Sequence, residues 1–308
     1  MKRFLTFAFI AILFFSCKKE SQKKTGGDIT GKQYPVTFSV ANKVAKSAAI
    51  AGGKQINDVT PLDSSFKYLS YFVYDNSGSL VHRVVQQSSA SDFGSIADYL
   101  KAGTYTIVFE AGQGLVRDMG YPQNPFPFAK LANSIIGVYG DDCFYKKLSI
   151  TVADSAITQS VTLNRLAGRL QIKILDTIPA NAAGLNIYMD KEYQDFSFTT
   201  DMPVNPICCG LGLIYVNSIK FTPEQIGHAG VTLNVMFVYN VYAPVKVGIT
   251  PTTVSGTYAP ITIDNVSFIR NQTTILSGHV FTGFIGKHNG GFSTSIDPDW
   301  GATNSYQF

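Results

Sequence analysis

The stretch Val161 to Leu175, VTLNRLAGRLQIKIL, constrains the fold more than any other part of the chain. Leu166, Gly168, Leu170, Ile172 and Ile174 fall on one side of a period-two pattern, and Arg169, Gln171 and Lys173 fall on the other. A strand needs that alternation when one face packs on a core and the other meets water. Just before it, Val161 and Leu163 alternate with Thr162 and Asn164, so strand character runs on both sides of Arg165. The pattern predicts the last strand of one β-domain passing directly into the first strand of another. Arg165 then sits at the joint, with domains at 33–164 and 165–308.

Composition agrees with that expectation. A length of 308 residues suffices for two domains of ordinary size. The 22 Phe, 16 Tyr and 27 Gly, with only 15% charged residues, favour sheet over helix. The formal charge of +4 is modest, and eight of the 25 basic residues fall in the first 43 positions. What remains makes no electrostatic case for nucleic acid as a partner.

The N-terminus carries the most specific signal. Lys2 and Arg3 form a positive start, Phe4 to Phe15 an apolar run, and Ser16 a small residue before Cys17. The run is too short to span a bilayer as a mature helix and has the layout of a secretory signal. Residues 1–16 resemble a bacterial lipoprotein signal, with Cys17 as the lipidated first residue, although Phe14 replaces the usual Leu three residues before the cysteine. An ordinary signal peptide with an incidental Cys is the alternative. Buried acyl CH₂ groups contribute about 0.8 kcal/mol each, so several chains hold a protein firmly on a membrane. Residues 17–32 are polar, Lys-rich and Gly-punctuated, cannot build a core, and read as a flexible tether.

Along the first domain, Tyr34 to Val40 reads as a strand and Asn42 to Gly53 as a loop. In Phe66 to Val85 two apolar runs flank Asp75-Asn76-Ser77-Gly78, which predicts a β-hairpin. Phe93, Ile96 and Leu100 stand at helical spacing and predict a short helical turn, after which Tyr105, Ile107 and Phe109 alternate as a strand. Gly112 to Lys130 holds three prolines with glycines and aromatics, and reads as a long surface loop exposing Tyr121, Phe126 and Phe128. Leu148 to Ala153 and Ala156 to Leu163 close the domain. In the second domain, strand candidates follow at Gly184 to Met189, Phe196 to Thr199, Leu213 to Ile219, Val231 to Tyr242 and Pro244 to Ile249, with a helical turn at Thr222 to Gln225. No period of 20–50 residues recurs, which argues against a solenoid or propeller. The reading is all-β, two β-sandwiches in tandem.

Taken in order, these pieces resemble the fimbrillin-like and fimbrial-anchor lipoproteins of the Bacteroidetes. The resemblance rests on the lipoprotein signal, the hairpin Tyr68 to Val81, Ala102 to Phe109, the junction Val161 to Leu170, Phe268 to Leu276 and the closing Ile296 to Trp300. It implies two transthyretin-like sandwiches on the outer membrane, associating with other fimbrial subunits by strand addition, in which backbone hydrogen bonds give affinity and alternate side chains fill pockets. Main fibre subunits of that family are cut after an Arg near the end of the first strand. Here Lys43 and Lys46 follow Val40 but no Arg does, which fits an anchor or accessory subunit better. The aromatic loop leaves a tip adhesin or a surface glycan-binding lipoprotein as the alternative, with Tyr121, Phe126 and Phe128 stacking on a sugar or packing on a partner.

Catalytic and metal chemistry find little footing. Asp141-Asp142 and Asp297-Pro298-Asp299 do not supply the six to eight oxygens that Ca²⁺ takes. His82, His228, His279 and His288 are widely spaced, and none stands beside a Ser or Cys as an activated nucleophile would require. Cys143, Cys208 and Cys209 read as buried thiols, with Cys143 and one of the vicinal pair as the sole intrachain disulfide of any appeal. No cofactor motif is present, and the expectation is a non-enzymatic protein.

Overall fold

Apolar residues at every second position, rich in Val, Ile, Tyr and Phe, dictate strands whose one face is buried. The computed structural model describes residues 31–43, 59–61, 66–115, 128–207, 214–282 and 292–297. Within the first half lie β1 (Gln33–Lys43), β2 (Val59–Pro61), β3 (Tyr68–Tyr74), β4 (Leu80–Gln87), β5 (Ser95–Lys101), β6 (Gly103–Gly112), β7 (Ile135–Gly137), β8 (Phe144–Val152) and β9 (Ile157–Arg165). The second half holds β10 (Gly168–Ile174), β11 (Ala182–Met189), β12 (Tyr193–Ser197), β13 (Met202–Pro206), β14 (Ile214–Lys220), β15 (Val231–Val238), β16 (Val245–Thr253), β17 (Ile261–Val266), β18 (Thr273–Gly278) and β19 (Ser293–Asp297).

Both halves pair their strands in the same way. β1 runs antiparallel to β5 on one side and parallel to β9 on the other. β10 likewise runs antiparallel to β15 and parallel to β18. The facing layers are antiparallel, ordered β4-β3-β6-β8 in the first half and β14-β11-β16-β17 in the second. Each half is therefore a β-sandwich, and the two stand in tandem. In the first, β9 leaves β1 at its C-terminal end and pairs with β8 at Phe144↔Arg165 and Tyr145↔Asn164, so one strand turns the corner between layers.

Each sandwich has its own core. In the first, Phe38, Tyr71 and Phe109 pack with ring centroids 5.2–5.8 Å apart. In the second, Leu170, Ile172 and Ile174 of β10 pack with Leu185, Ile187 and Met189 of β11 and Val247 and Ile249 of β16. Gly184 is required there, because a Cβ at that position would lie 2.0 Å from the Ile219 carbonyl oxygen.

A third cluster covers the outer face of the β4-β3-β6-β8 layer. β12 pairs with β13 and also with β7 (Phe196↔Ile136), so a short sheet is assembled from both halves. Through it Phe196 and Phe198 reach Phe72, Tyr74, Val108 and Tyr145. Every residue of β3 after Tyr68 is consequently buried, and its sequence YLSYFVY is apolar almost throughout instead of alternating.

Two local expectations give way. The segment predicted as a helical turn is a tight turn followed by β5, because Ile96 and Leu100 satisfy a period of two as well as a helical one and pairing with β1 decides between them. Arg169, placed by the alternation on the water face, is buried on a central strand between Phe237 and Thr273, and its Nε donates to Thr273 Oγ1 at 3.0 Å.

Phe198 is fully buried and lies within 5.5–5.9 Å, ring to ring, of Phe72, Phe128 and Tyr145. Phe198→Ala is expected to cost about 3–5 kcal/mol, read as a lower urea midpoint at unchanged slope. Val254→Ala, at a site 83% exposed, should stay within about 0.5 kcal/mol of the parent. Similar losses for the two would mean the aromatic cluster does not hold the halves together.

Candidate functional site

The residues nominated by the sequence fall in different places. Cys17, Tyr121, Phe126, Cys208 and Cys209 lie outside the described residues. Phe128 is a correction: it is 1% exposed, its ring 4.7 Å from Phe72, with the Arg83 guanidinium 5.0 Å above it. Its φ of 64° is unusual for an aromatic residue. The Pro-rich composition that marks a surface loop does not reveal that its last aromatic closes the third core cluster, so Phe128 offers no ring to a ligand. Cys143 is a free thiol in the same cluster, and burial pushes its pKa well up, with the Glu110 charge adding to the rise.

Arg165 is the best-held polar side chain at the junction. It is 7% exposed; Nε and Nη2 donate to the two carboxylate oxygens of Asp142 at 2.7 and 2.9 Å. Nη1 donates to Asn271 Oδ1 at 2.8 Å, and the guanidinium covers the Phe144 ring at 4.6 Å. Asn271 comes from the second half and tolerates a φ of 59°, and its N–H donates to the Ala167 carbonyl. The fork geometry of arginine explains why one side chain can tie the loop before β8, the end of β9 and the turn before β18.

Two buried carboxylates flank this tie, and sequence reasoning passed over both. Glu110 ends the apolar run of β6; burial raises its pKa well above the usual carboxylate range, and the charge of Asp141 adds to this. Glu192 is fully buried and accepts the Tyr239 N–H at 2.8 Å. Burial pushes its pKa up to about 7, against the opposing pull of the backbone N–H groups of Tyr193, Tyr239 and Asn240. For Glu110 the available signal was a lone acid inside strand-like sequence; Glu192, in the charged stretch Asp190-Lys191-Glu192 before β12, carried none.

Beside the junction opens a cleft of about 430 Å³, lined by Gly114, Leu115, Gly137, Tyr139, Asp141, Gln194 and Asp195. β12 forms one wall: the Gln194 carbonyl accepts from the N–H groups of Val138 and Tyr139 at 2.8 and 3.2 Å, and Asp195 pairs with Gly137. Asp195 is 3% exposed, and Asn205 Nδ2 donates to its Oδ2 at 2.8 Å. Burial raises the pKa of Asp195, and Asn205 partly offsets it; burial and then Asp142 raise that of Asp141. Gly114 lets Asp141 come close, since a Cβ there would lie 2.9 Å from Asp141 Oδ2.

Strand edges offer a second kind of surface. β4 ends its layer among the described residues and leaves Val81, Val84 and Val85 exposed. Its sandwich neighbour β5 is bridged to it by side chains: His82 Nδ1 lies 2.8 Å from the Asp98 carboxylate, and Gln86 Nε2 donates to the Ser95 carbonyl at 2.8 Å. At the other end of the chain β19 pairs with β18 and buries none of its side chains.

No protein-family model matches the sequence, and no curated protein matches it. Solved structures share the fold. A candidate polysaccharide-binding protein from Bacteroides thetaiotaomicron does so with a TM-score of 0.54 at 9% identity, over 80% of this chain and 92% of its own. A candidate cell adhesion protein from Bacteroides eggerthii matches with a TM-score of 0.51 at 12% identity, over 88% of this chain and 98% of its own. The fimbrial anchor protein Mfa2 from Porphyromonas gingivalis matches with a TM-score of 0.49 at 11% identity, over 82% and 93%. At such identities the likeness to the first two is one of fold.

The Glu192 carboxyl makes a pH test available. Folded, it keeps its proton up to about pH 7; unfolded, it releases it near 4.5. Its contribution to stability is thus complete below pH 4.5 and is lost as the pH rises through 7, by about 3 kcal/mol in all. Glu192→Gln should leave stability near pH 4 almost unchanged, raise it at pH 8, and flatten the slope between in urea titrations. Parallel curves for parent and variant would refute the assignment.

Proposed function

We propose that this chain is a non-enzymatic surface lipoprotein, tethered to the outer membrane at Cys17 through residues 17–32, that serves as an anchor or accessory subunit of a fimbrium. The two units at 33–164 and 165–308 join neighbouring subunits by strand addition. The observation that carries this reading is the pair of tandem sandwiches, with β4 ending its layer among the described residues, in a fold shared with a candidate adhesion protein. The N-terminal layout and the order of strand motifs support it from the sequence side. β4 is the edge proposed to receive a donor strand, because beyond Leu80, whose N–H donates to the Ala129 carbonyl, it ends its layer among the described residues and carries three exposed valines that a partner's side chains can cover.

A second reading, binding of a surface glycan, is favoured by the junction cleft, with its exposed aromatic ring and its carboxylates, and by the fold shared with a candidate polysaccharide-binding protein.

Cys17→Ser should move the chain from the membrane fraction to the soluble one, leaving its unfolding curve unaltered; retention in the membrane would remove the lipid anchor from the proposal. Val81→Lys with Val85→Lys, both at exposed sites, should reduce co-purification with sheared fibres at least fivefold without loss of stability. Undiminished co-purification would exclude β4 as the accepting edge, and absence of the parent chain from fibres and from fibre ends would exclude the fimbrial role itself.

A further inference from the structure

The junction cleft combines features that its structural role does not use. Its floor holds Asp195, almost fully buried, with Oδ2 occupied by Asn205 and Oδ1 making no hydrogen bond to the described protein. Asp141 lines the same cleft, and its carboxylate has no hydrogen bond or ion pair among the described residues, since Arg165 is spent on Asp142. Leu115 and Tyr139 are 49% and 42% exposed at the rim, and the Tyr139 hydroxyl donates to the Val216 carbonyl, which fixes the ring. Gln194 adds an exposed amide whose backbone is already held by β7 and the turn after it.

We propose that this cleft binds a neutral saccharide unit, with the Asp141 and Asp195 carboxylates and the Gln194 amide meeting its hydroxyl groups and Tyr139 and Leu115 meeting its apolar face. The proposal rests on the glycan-binding reading given above. A sugar matches both halves of this lining: its hydroxyls can donate to Asp195 Oδ1 and to the Asp141 carboxylate, and its C–H face covers half-exposed apolar groups. The volume of about 430 Å³ falls in the range of small-molecule sites. An acidic sugar is disfavoured, because it would bring a third negative charge to two carboxylates that have no ion pair among the described residues. A hard cation is also disfavoured: it takes six to eight oxygens, and no group of three or more His, Cys, Asp or Glu gathers anywhere among the described residues.

The test is a display of neutral and acidic oligosaccharides probed with the full chain in detergent, followed by calorimetry on each bound sugar. Binding of neutral oligosaccharides is expected. Asp141→Asn, at a half-buried site, and Gln194→Ala, at an exposed one, should each weaken it at least tenfold with unchanged unfolding curves. Asp195→Asn, isosteric and able to keep a contact with Asn205, should do the same. Neutral-sugar binding that survives all three variants would leave the glycan reading standing and overturn the cleft as its site. Binding of acidic sugars alone, or of Ca²⁺ in place of sugar, would overturn the ligand class. No binding to any sugar would overturn both.

Discussion

The outer face of the β3–β6 layer must be kept from water, and much of the architecture follows from how that is done. Phe72, Tyr74, Val108 and Tyr145 would otherwise form an apolar face on the first sandwich. Aromatic side chains bury 150–250 Å² each, worth several kcal/mol at about 25 cal/mol per Å². The second half supplies the cover through Phe196 and Phe198, carried on a hairpin that borrows β7 from the first half as its third strand. Two sandwiches, each with its own core, are thereby joined through a shared cluster and a shared sheet.

A dry seam of this kind sets terms for every polar group caught in it. A buried charge is tolerated where it is paired and fully hydrogen-bonded. Arg165 meets those terms through Asp142 and Asn271. Glu110 and Glu192 meet them poorly, since one oxygen of each has no partner among the described residues, and both respond by holding their protons to higher pH. The seam is therefore both where the halves are joined and where the protein is most sensitive to ionisation.

Much of the fold is legible in the sequence because a half-buried strand leaves a period-two trace. β10 with its three alternating aliphatics and the β3–β4 hairpin around Asp75 to Gly78 are of that kind. What the trace cannot carry is anything decided by a distant partner. Arg169 reads as solvated until Phe237 and Thr273 close over it from two neighbouring strands. Phe128 reads as a loop aromatic until Phe198, seventy residues on, packs beside it. The cleft is invisible for the same reason: Leu115, Tyr139, Asp141 and Asp195 share no local pattern and meet only because β12 pairs with β7. Even the repeat of the seven-strand sandwich leaves no sequence periodicity, since topology is conserved by which strands pair and not by which residues do.

That repeat also indicates where function can be accommodated. Strands β1, β3, β4, β5, β6, β8 and β9 correspond in order to β10, β11, β14, β15, β16, β17 and β18, and each set is occupied with filling a core. Of the strands left over, β2 and β19 only extend the edges at β1 and β18, while β7 is inserted between β6 and β8 and the β12–β13 hairpin between β11 and β14. These insertions sit at non-equivalent points of the two sandwiches, yet they meet, and their meeting creates both the seam and the cleft. Their inward side chains, Ile136 and Phe196, fill the seam, but an outward one such as Gln194 is free of packing demands, while the backbone is held by sheet pairing. Polar groups placed on such segments can be directed at a ligand without costing either core its integrity.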